Sequence, residues 1–239
     1  MTLLEIRGLA KRFGGVAALD GVDLAVGSRE IVGLIGPNGA GKTTLFNCLA
    51  GFIVPDAGEI RFGESRIDLV GRAPHEIARL GLARTFQNLR VFPLMTVLEN
   101  CMVGRHARTR AGIVASLLRP RWVGDEEEVT RLKAEEWLEF VGLASLAGRS
   151  AGELSLGDQR RLEIARALAS EPLLLQLDEP AAGMNPRESG TLMELIGRIR
   201  ALGIAIVLIE HDMRVVMGIS DRVGVLDHGV LIASGAPRD

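Results

Sequence analysis

The stretch GPNGAGKT, Gly36–Thr43, limits the chain more than any other. It fits GxxxxGK[ST], and it stands between EIVGLIG, a short apolar run rich in β-branched residues, and KTTLFNCLAG, which reads as a helix closed by Gly51. The order is strand, loop, helix, the context in which this spacing binds phosphate. Glycines let backbone N–H groups converge on phosphate oxygens, and the helix N-terminus adds partial positive charge. Lys42 then reaches the outer phosphates and the Thr43 hydroxyl can ligate magnesium. Such a loop hangs from a buried strand, so the expected fold class is α/β with a mostly parallel core sheet.

The rest of the chain supplies the other strands of that sheet. LLLQLD (173–178) and IAIVLIE (204–210) are continuous apolar runs, as expected of parallel strands covered on both faces. Between them Leu192, Leu195, Ile196 and Ile199 follow the spacing of a helix with one buried stripe, completing a βαβ unit. LLEIRGL near the N-terminus and RVGVLDHGVLIASG near the C-terminus read as alternating strands, the second pair joined by an Asp-His-Gly turn. Residues from about 90 to 165 differ in character and read as a mostly helical insertion. Within it the acidic start of DEEEVTRLKAEEWLEFVGL suits the positive end of a helix dipole.

A phosphate loop that holds magnesium needs a carboxylate to complete the metal site, and Asp178 ends a buried strand with Glu179 beside it. Neighbouring strand residues point to opposite faces, so one acid can serve the metal and the other the attacking water. Asp178 is the expected metal residue and Glu179 the expected general base. Period 2 also puts Gln176 on the face of Asp178, where a core amide satisfied by hydrogen bonds is expected in preference to a catalytic group.

With 239 residues, 47% hydrophobic and 24% charged, the chain suits one large α/β domain or a domain with a subdomain. A formal net charge of -2 gives no general attraction to nucleic acid, which is not an expected partner. Cys48 and Cys101 are the only cysteines and form no CxxC or Cys/His cluster, so two reduced, packed thiols are expected. The N-terminus lacks the apolar core of a signal peptide, and no apolar run approaches the length of a membrane span. A cytosolic chain, soluble by itself, is the expectation.

A second candidate anion site opens at LSLGDQ, from Leu154. Ser155 can cap the helix that follows, with Asp158 three residues on, and Gly157 permits close backbone approach to a phosphate. A plain helix cap explains the same residues. The Asp158 carboxylate favours a helix start but would repel a phosphate approaching closely.

Taken in order, GPNGAGKTT, ARTFQN, LSLGDQ, LLLQLDEP, AAGMNP and IEHDM resemble the motifs of the ATP-binding subunit of an ABC transporter, over nearly the whole chain. The resemblance implies a P-loop NTPase fold with an N-terminal antiparallel β subdomain and an inserted helical subdomain, the core being 1–89 and 166–239. It implies ATP and Mg2+ as ligands, with Gly36, Pro37, Asn38, Gly39, Ala40, Gly41, Lys42, Thr43 and Thr44 around the phosphates. Gln87 resembles the loop glutamine that touches magnesium and the attacking water. His211 resembles the switch histidine at the γ-phosphate, although a lone histidine is otherwise structural. Phe13 matches the aromatic that stacks on adenine, with core packing as the other reading. AAGMNP resembles the loop that communicates across the ATPase dimer. Ser155, Gly157 and Asp158 would then face nucleotide held by the opposite subunit, although Leu156 and Asp158 depart from the common LSGGQ form.

GLARTFQNLRVFPLMTVLEN, RRLEIARALA, AAGMNP and IEHDM look most like the importers of branched-chain and related hydrophobic amino acids. Similar ATPases serve urea, short amides and lipopolysaccharide export. A soluble ABC ATPase is a further class, usually marked by two cassettes or a long coiled coil. The resemblance implies a second ABC ATPase subunit in a homo- or heterodimer, two membrane permease subunits and an external solute-binding protein. It also implies a place on the cytoplasmic face of the membrane, held through the permeases. Five arginines between Gly104 and Trp122, namely Arg105, Arg108, Arg110, Arg119 and Arg121, form either a solvated loop or a surface near lipid head groups or a permease.

Overall fold

Two units divide the chain, Met1–Gln87 with Leu173–Asp239 and Asn88–Pro172. The structure is a computed structural model that describes residues 1–87, 89–109 and 121–238, with only the backbone described at 121 and 122.

The first unit holds two sheets. β1 (Thr2–Phe13), β2 (Val16–Gly27), β4 (Ala57–Phe62) and β5 (Ile67–Asp68) form an antiparallel sheet in the order β2-β1-β4-β5. The Gly14–Gly15 turn that joins β1 to β2 is a two-residue hairpin connection. The second sheet contains β3 (Ile31–Ile35), β6 (Leu82–Arg84), β7 (Leu174–Asp178), β8 (Ala205–Ile209), β9 (Arg222–Asp227) and β10 (Val230–Gly235). Its order is β10-β9-β3-β8-β7-β6; all its pairings are parallel except β10 with β9. β7 and β8 are buried at every residue, which is why they read as unbroken apolar runs. The Asp-His-Gly turn joins β9 to β10, with positive φ at His228 and Gly229 as a primed turn requires.

Helices α1 (Lys42–Leu49), α2 (Pro74–Leu80), α6 (Pro186–Ala201) and α7 (Met213–Ile219) complete this unit. α6 buries Leu192, Leu195, Ile196 and Ile199, the stripe that links β7 to β8. It begins with Asn185, whose side chain accepts from the Arg187 and Glu188 N–H groups while Glu188 returns a bond to the Asn185 N–H.

In the second unit α3 (Val97–Gly104), α4 (Arg121–Phe140) and α5 (Leu156–Leu168) pack on one another. The unit runs to Pro172 instead of ending near 165, because α5 is one continuous helix whose Leu162, Ile164, Ala165 and Leu168 are buried. The chain is already helical at Arg121, four residues before Asp125, so the acidic cluster falls outside the first turn where the dipole acts most strongly. Two of the five clustered arginines have internal work. Arg105 pairs with Glu171 at 2.8 Å, and Arg108 donates to the carbonyls of Ser170 and Glu171 just past the end of α5. Arg110, Arg119 and the side chain of Arg121 lie outside the described residues. Among the described residues no helix is long and apolar enough to cross a membrane.

Gln176 corrects the expectation of a satisfied core amide. The side chain is fully buried in β7, and among the described residues neither amide atom has a hydrogen-bond partner. Its register neighbours are Arg84 and Val207, and the Thr85 hydroxyl bonds the Gln176 carbonyl instead of the side chain. Since a buried unpaired polar group costs about 1–3 kcal/mol, Gln176→Met should raise stability by a comparable amount. Urea unfolding followed by circular dichroism checks this; an unchanged or lower midpoint would overturn it.

Burial pushes the Cys48 thiol up to about 11 and the Cys101 thiol up to about 12. Because the thiolate is the reactive form, neither cysteine should react with iodoacetamide at pH 8 in the folded protein, and both should react in denaturant. Mass spectrometry reads the result, and rapid labelling of the native chain would contradict it.

Candidate functional site

Four strands of the parallel core deliver polar groups at or just beyond their C-terminal ends, the edge where open α/β sheets bind ligands. The phosphate loop leaves β3, Asp178 ends β7 with Glu179 after it, His211 follows β8, and Gln87 follows β6 by three residues.

The loop is shaped by steric necessity at two glycines. A Cβ on Gly36 would lie 2.0 Å from the Leu226 carbonyl oxygen, and one on Gly41 would lie 2.3 Å from that of Ala18. Both residues have positive φ, of 152° and 105°. Gly41 sits at the N-cap of α1, which therefore begins on Lys42 with free N–H groups at its mouth. Thr43 is exposed and Thr44 half-buried; Pro37, Asn38 and Gly39 are exposed, whereas Ala40 is packed inside. Lys42 is buried and donates to the carbonyls of Gly36 at 2.6 Å and Pro37 at 2.8 Å. Burial lowers its pKa, and the negative charges of Glu179 and Asp178 work in the opposite direction.

Glu179 has a left-handed backbone with φ 49°, a conformation that costs a non-glycine residue about 1–3 kcal/mol and collects at functional sites. Its N–H bonds the Ile209 carbonyl at 2.9 Å, which fixes the turn against the end of β8. Each carboxylate oxygen takes part in one hydrogen bond. His211 Nε2 lies 2.6 Å from Oε1, so with a carboxylate as acceptor the ring carries its proton on Nε2. Gln87 Nε2 donates to Oε2 at 2.9 Å. Two groups singled out from sequence thus meet on the third.

Asp178 has a partner that sequence reasoning missed. Arg84 Nη2 bonds Asp178 Oδ2 at 2.8 Å, with the two side chains only 6% and 5% exposed. The guanidinium also donates to Asn47 and lies 5.2–6.0 Å from the ring centroids of Phe46, Phe52 and Phe86. A charged residue closing the short apolar run GLAR was the available signal, since arginine is seldom buried without a partner. Glu210, quoted within IEHDM but given no role, is also buried.

Ser155, Gly157 and Asp158 belong to the second unit, not to the one that carries the phosphate loop. Ser155 is the N-cap of α5; its hydroxyl accepts from the Asp158 N–H at 3.2 Å and donates to the Asp158 carboxylate at 2.8 Å. Arg161 pairs with the same carboxylate. Asp158 is therefore not a bare charge, and the expected repulsion of a phosphate is offset by the cation one turn along. Leu156 is exposed.

Phe13 is 49% exposed at the end of β1, so core packing does not account for it; Lys11 Nζ lies 5.6 Å from the ring centroid. The hairpin that bears Phe13 touches the phosphate loop through Ala18, the residue that excludes a side chain at Gly41. AAGMNP spans 181–186, between the Glu179 turn and α6.

Comparison with known proteins agrees with this geometry. The family model described as ABC transporter matches residues 19–182. The high-affinity branched-chain amino acid transport ATP-binding protein LivG of Salmonella typhimurium is 48% identical over 238 residues, covering 99% of this chain and 92% of LivG. A solved ADP conformation of an ATP-binding cassette of an ABC transporter is 36% identical, with a TM-score of 0.86 over 99% of this chain and 91% of that one. A dimeric cassette in a post-hydrolysis state, bound to ADP and Pi, is 25% identical, with a TM-score of 0.81 over 99% of this chain and 100% of that one.

Proposed function

Because the chain belongs to the ABC transporter family, we propose that it is the ATP-hydrolysing subunit of an importer for branched-chain or related hydrophobic amino acids. The observation that carries this reading is 48% identity, along almost the full length, to a subunit named for that transport. The convergence of Lys42, Gln87, Asp178, Glu179 and His211 in one unit supports the ATPase chemistry.

In this mechanism the backbone N–H groups from Asn38 to Thr44 and the Lys42 ammonium hold the β- and γ-phosphates of ATP. The adenine stacks on Phe13. Thr43, Asp178 and Gln87 offer hard oxygen donors, a set that suits Mg2+ completed by phosphates and water. Arg84 occupies only Oδ2 of Asp178, and Oδ1 makes no hydrogen bond among the described residues, so the carboxylate keeps a donor atom. A magnesium ion held by these residues would supply charge neutralisation to the phosphoryl group. Glu179 accepts the proton of the attacking water, and His211 donates from Nε2 to the γ-phosphate. Each Glu179 oxygen accepts one bond here, from His211 or Gln87, and keeps a lone pair for the attacking water.

The second half of each site comes from another cassette, homologous or identical, whose residues at the positions of Ser155, Gly157 and Asp158 meet the γ-phosphate from the helix N-terminus. Two membrane permeases and an external solute-binding protein complete the transporter, and the chain sits on the cytoplasmic face of the membrane through the permeases.

Proteoliposomes in which this chain is assembled with the permeases of a branched-chain amino acid importer and its external binding protein test the assignment. Radiolabelled leucine, isoleucine or valine should cross only when ATP is supplied to this subunit. Uptake of urea or short amides without uptake of these amino acids would reject the substrate class.

A further inference from the structure

Glu210 closes β8 and is only 4% exposed, yet among the described residues it makes no ion pair. Backbone N–H groups answer its charge instead. Oε1 accepts from Ala181 at 2.7 Å, and Oε2 accepts from His211 at 3.0 Å, with a longer contact to Asp212 at 3.4 Å. Burying a carboxylate is costly unless it is fully hydrogen-bonded, and an apolar side chain would end a strand like IAIVLI at no such cost. The acid is where two loops need a common anchor. One oxygen holds the turn that follows Glu179, two residues on; the other holds the backbone of His211, whose ring reaches Glu179 at 2.6 Å.

We propose that Glu210 is a positioning residue for hydrolysis: one carboxylate pins the backbone of the Glu179 turn and the backbone of His211, and so fixes the distance between the two side chains. This rests on the roles given to Glu179 and His211 above. The same bond anchors Ala181, the first residue of AAGMNP, so that a displacement of that loop is passed to His211 through a single side chain. Glutamine cannot replace the acid in full. Its oxygen keeps one acceptor, but its amino group confronts an N–H at the other end.

Glu210→Ala, Glu210→Gln and His211→Ala are compared, alone and combined, in the assembled transporter. Glu210→Ala should lower kcat by about 10- to 100-fold, the scale on which small misplacements of catalytic groups act. KM for ATP and binding of a fluorescent ATP analogue should stay within about twofold, as expected when the lost interaction matters only in the transition state. Glu210→Gln should fall between Ala and wild type, and it keeps the residue's volume should the alanine variant fail to fold. In the His211→Ala background, Glu210→Ala should cost less turnover than it does alone, because the part of its effect that passes through His211 is already lost. A fall in melting temperature with kcat unchanged, or losses that simply multiply in the double variant, would overturn the proposal. Full turnover in His211→Ala alone would instead overturn the roles on which it rests.

Discussion

Replacing Glu179 by glutamine is expected to cut ATP turnover of the assembled complex by about 10²–10⁴-fold, the contribution of a positioned general base. The substitution keeps the volume and one acceptor, so either Gln87 or His211 retains its contact, and the φ of 49° is no harder for glutamine than for glutamate. Nucleotide affinity should therefore survive while proton transfer fails. With its partner cassette and saturating ATP, the variant should accumulate as an ATP-bound dimer, visible by light scattering after size exclusion. Turnover above about a tenth of wild type would place the base elsewhere, and a purely monomeric variant would contradict a nucleotide site completed by a second cassette.

Lys42→Ala should abolish useful nucleotide binding. The ammonium is buried and reaches the carbonyls of Gly36 and Pro37, so it stands ready at the phosphates and needs little reorganisation to meet them. Truncating one partner of a buried charged hydrogen-bonded pair costs about 2–5 kcal/mol, which is roughly 30- to 4000-fold in Kd. Isothermal titration with ATP reads the loss directly. Lys42→Arg should not restore affinity, because a planar guanidinium does not fit a site built for a compact ammonium between two carbonyls. A Kd within threefold of wild type in either variant would show that the glycine-rich backbone binds the phosphates unaided.

Much of this site was legible because its signals are local. β3, β7 and β8 are covered on both faces, so they read as near-continuous apolar runs interrupted within β7 only by Gln176, and the phosphate loop declares itself by glycines at sites of steric crowding. Asp178 and Glu179 are polar at the end of such a run, which is already a chemical statement. The partners of these groups were not legible, because they come from elsewhere in the chain. Nothing near Asp178 in sequence announces Arg84, and nothing in IEHDM says that Glu210 bonds Ala181. Gln176 misled for the opposite reason: a general rule about buried amides met a strand whose neighbours offer it no partner. The acidic start assigned to α4 failed because charge marks where a dipole would welcome a helix, and not where the helix begins.

The grip of Gln87 and His211 on both oxygens of Glu179 also bears on how the site meets ATP. Under the roles proposed above, these two donors are also the groups given to the nucleotide, so a donor that turns to ATP leaves Glu179. The pair would then couple the placement of the carboxylate to the arrival of ATP.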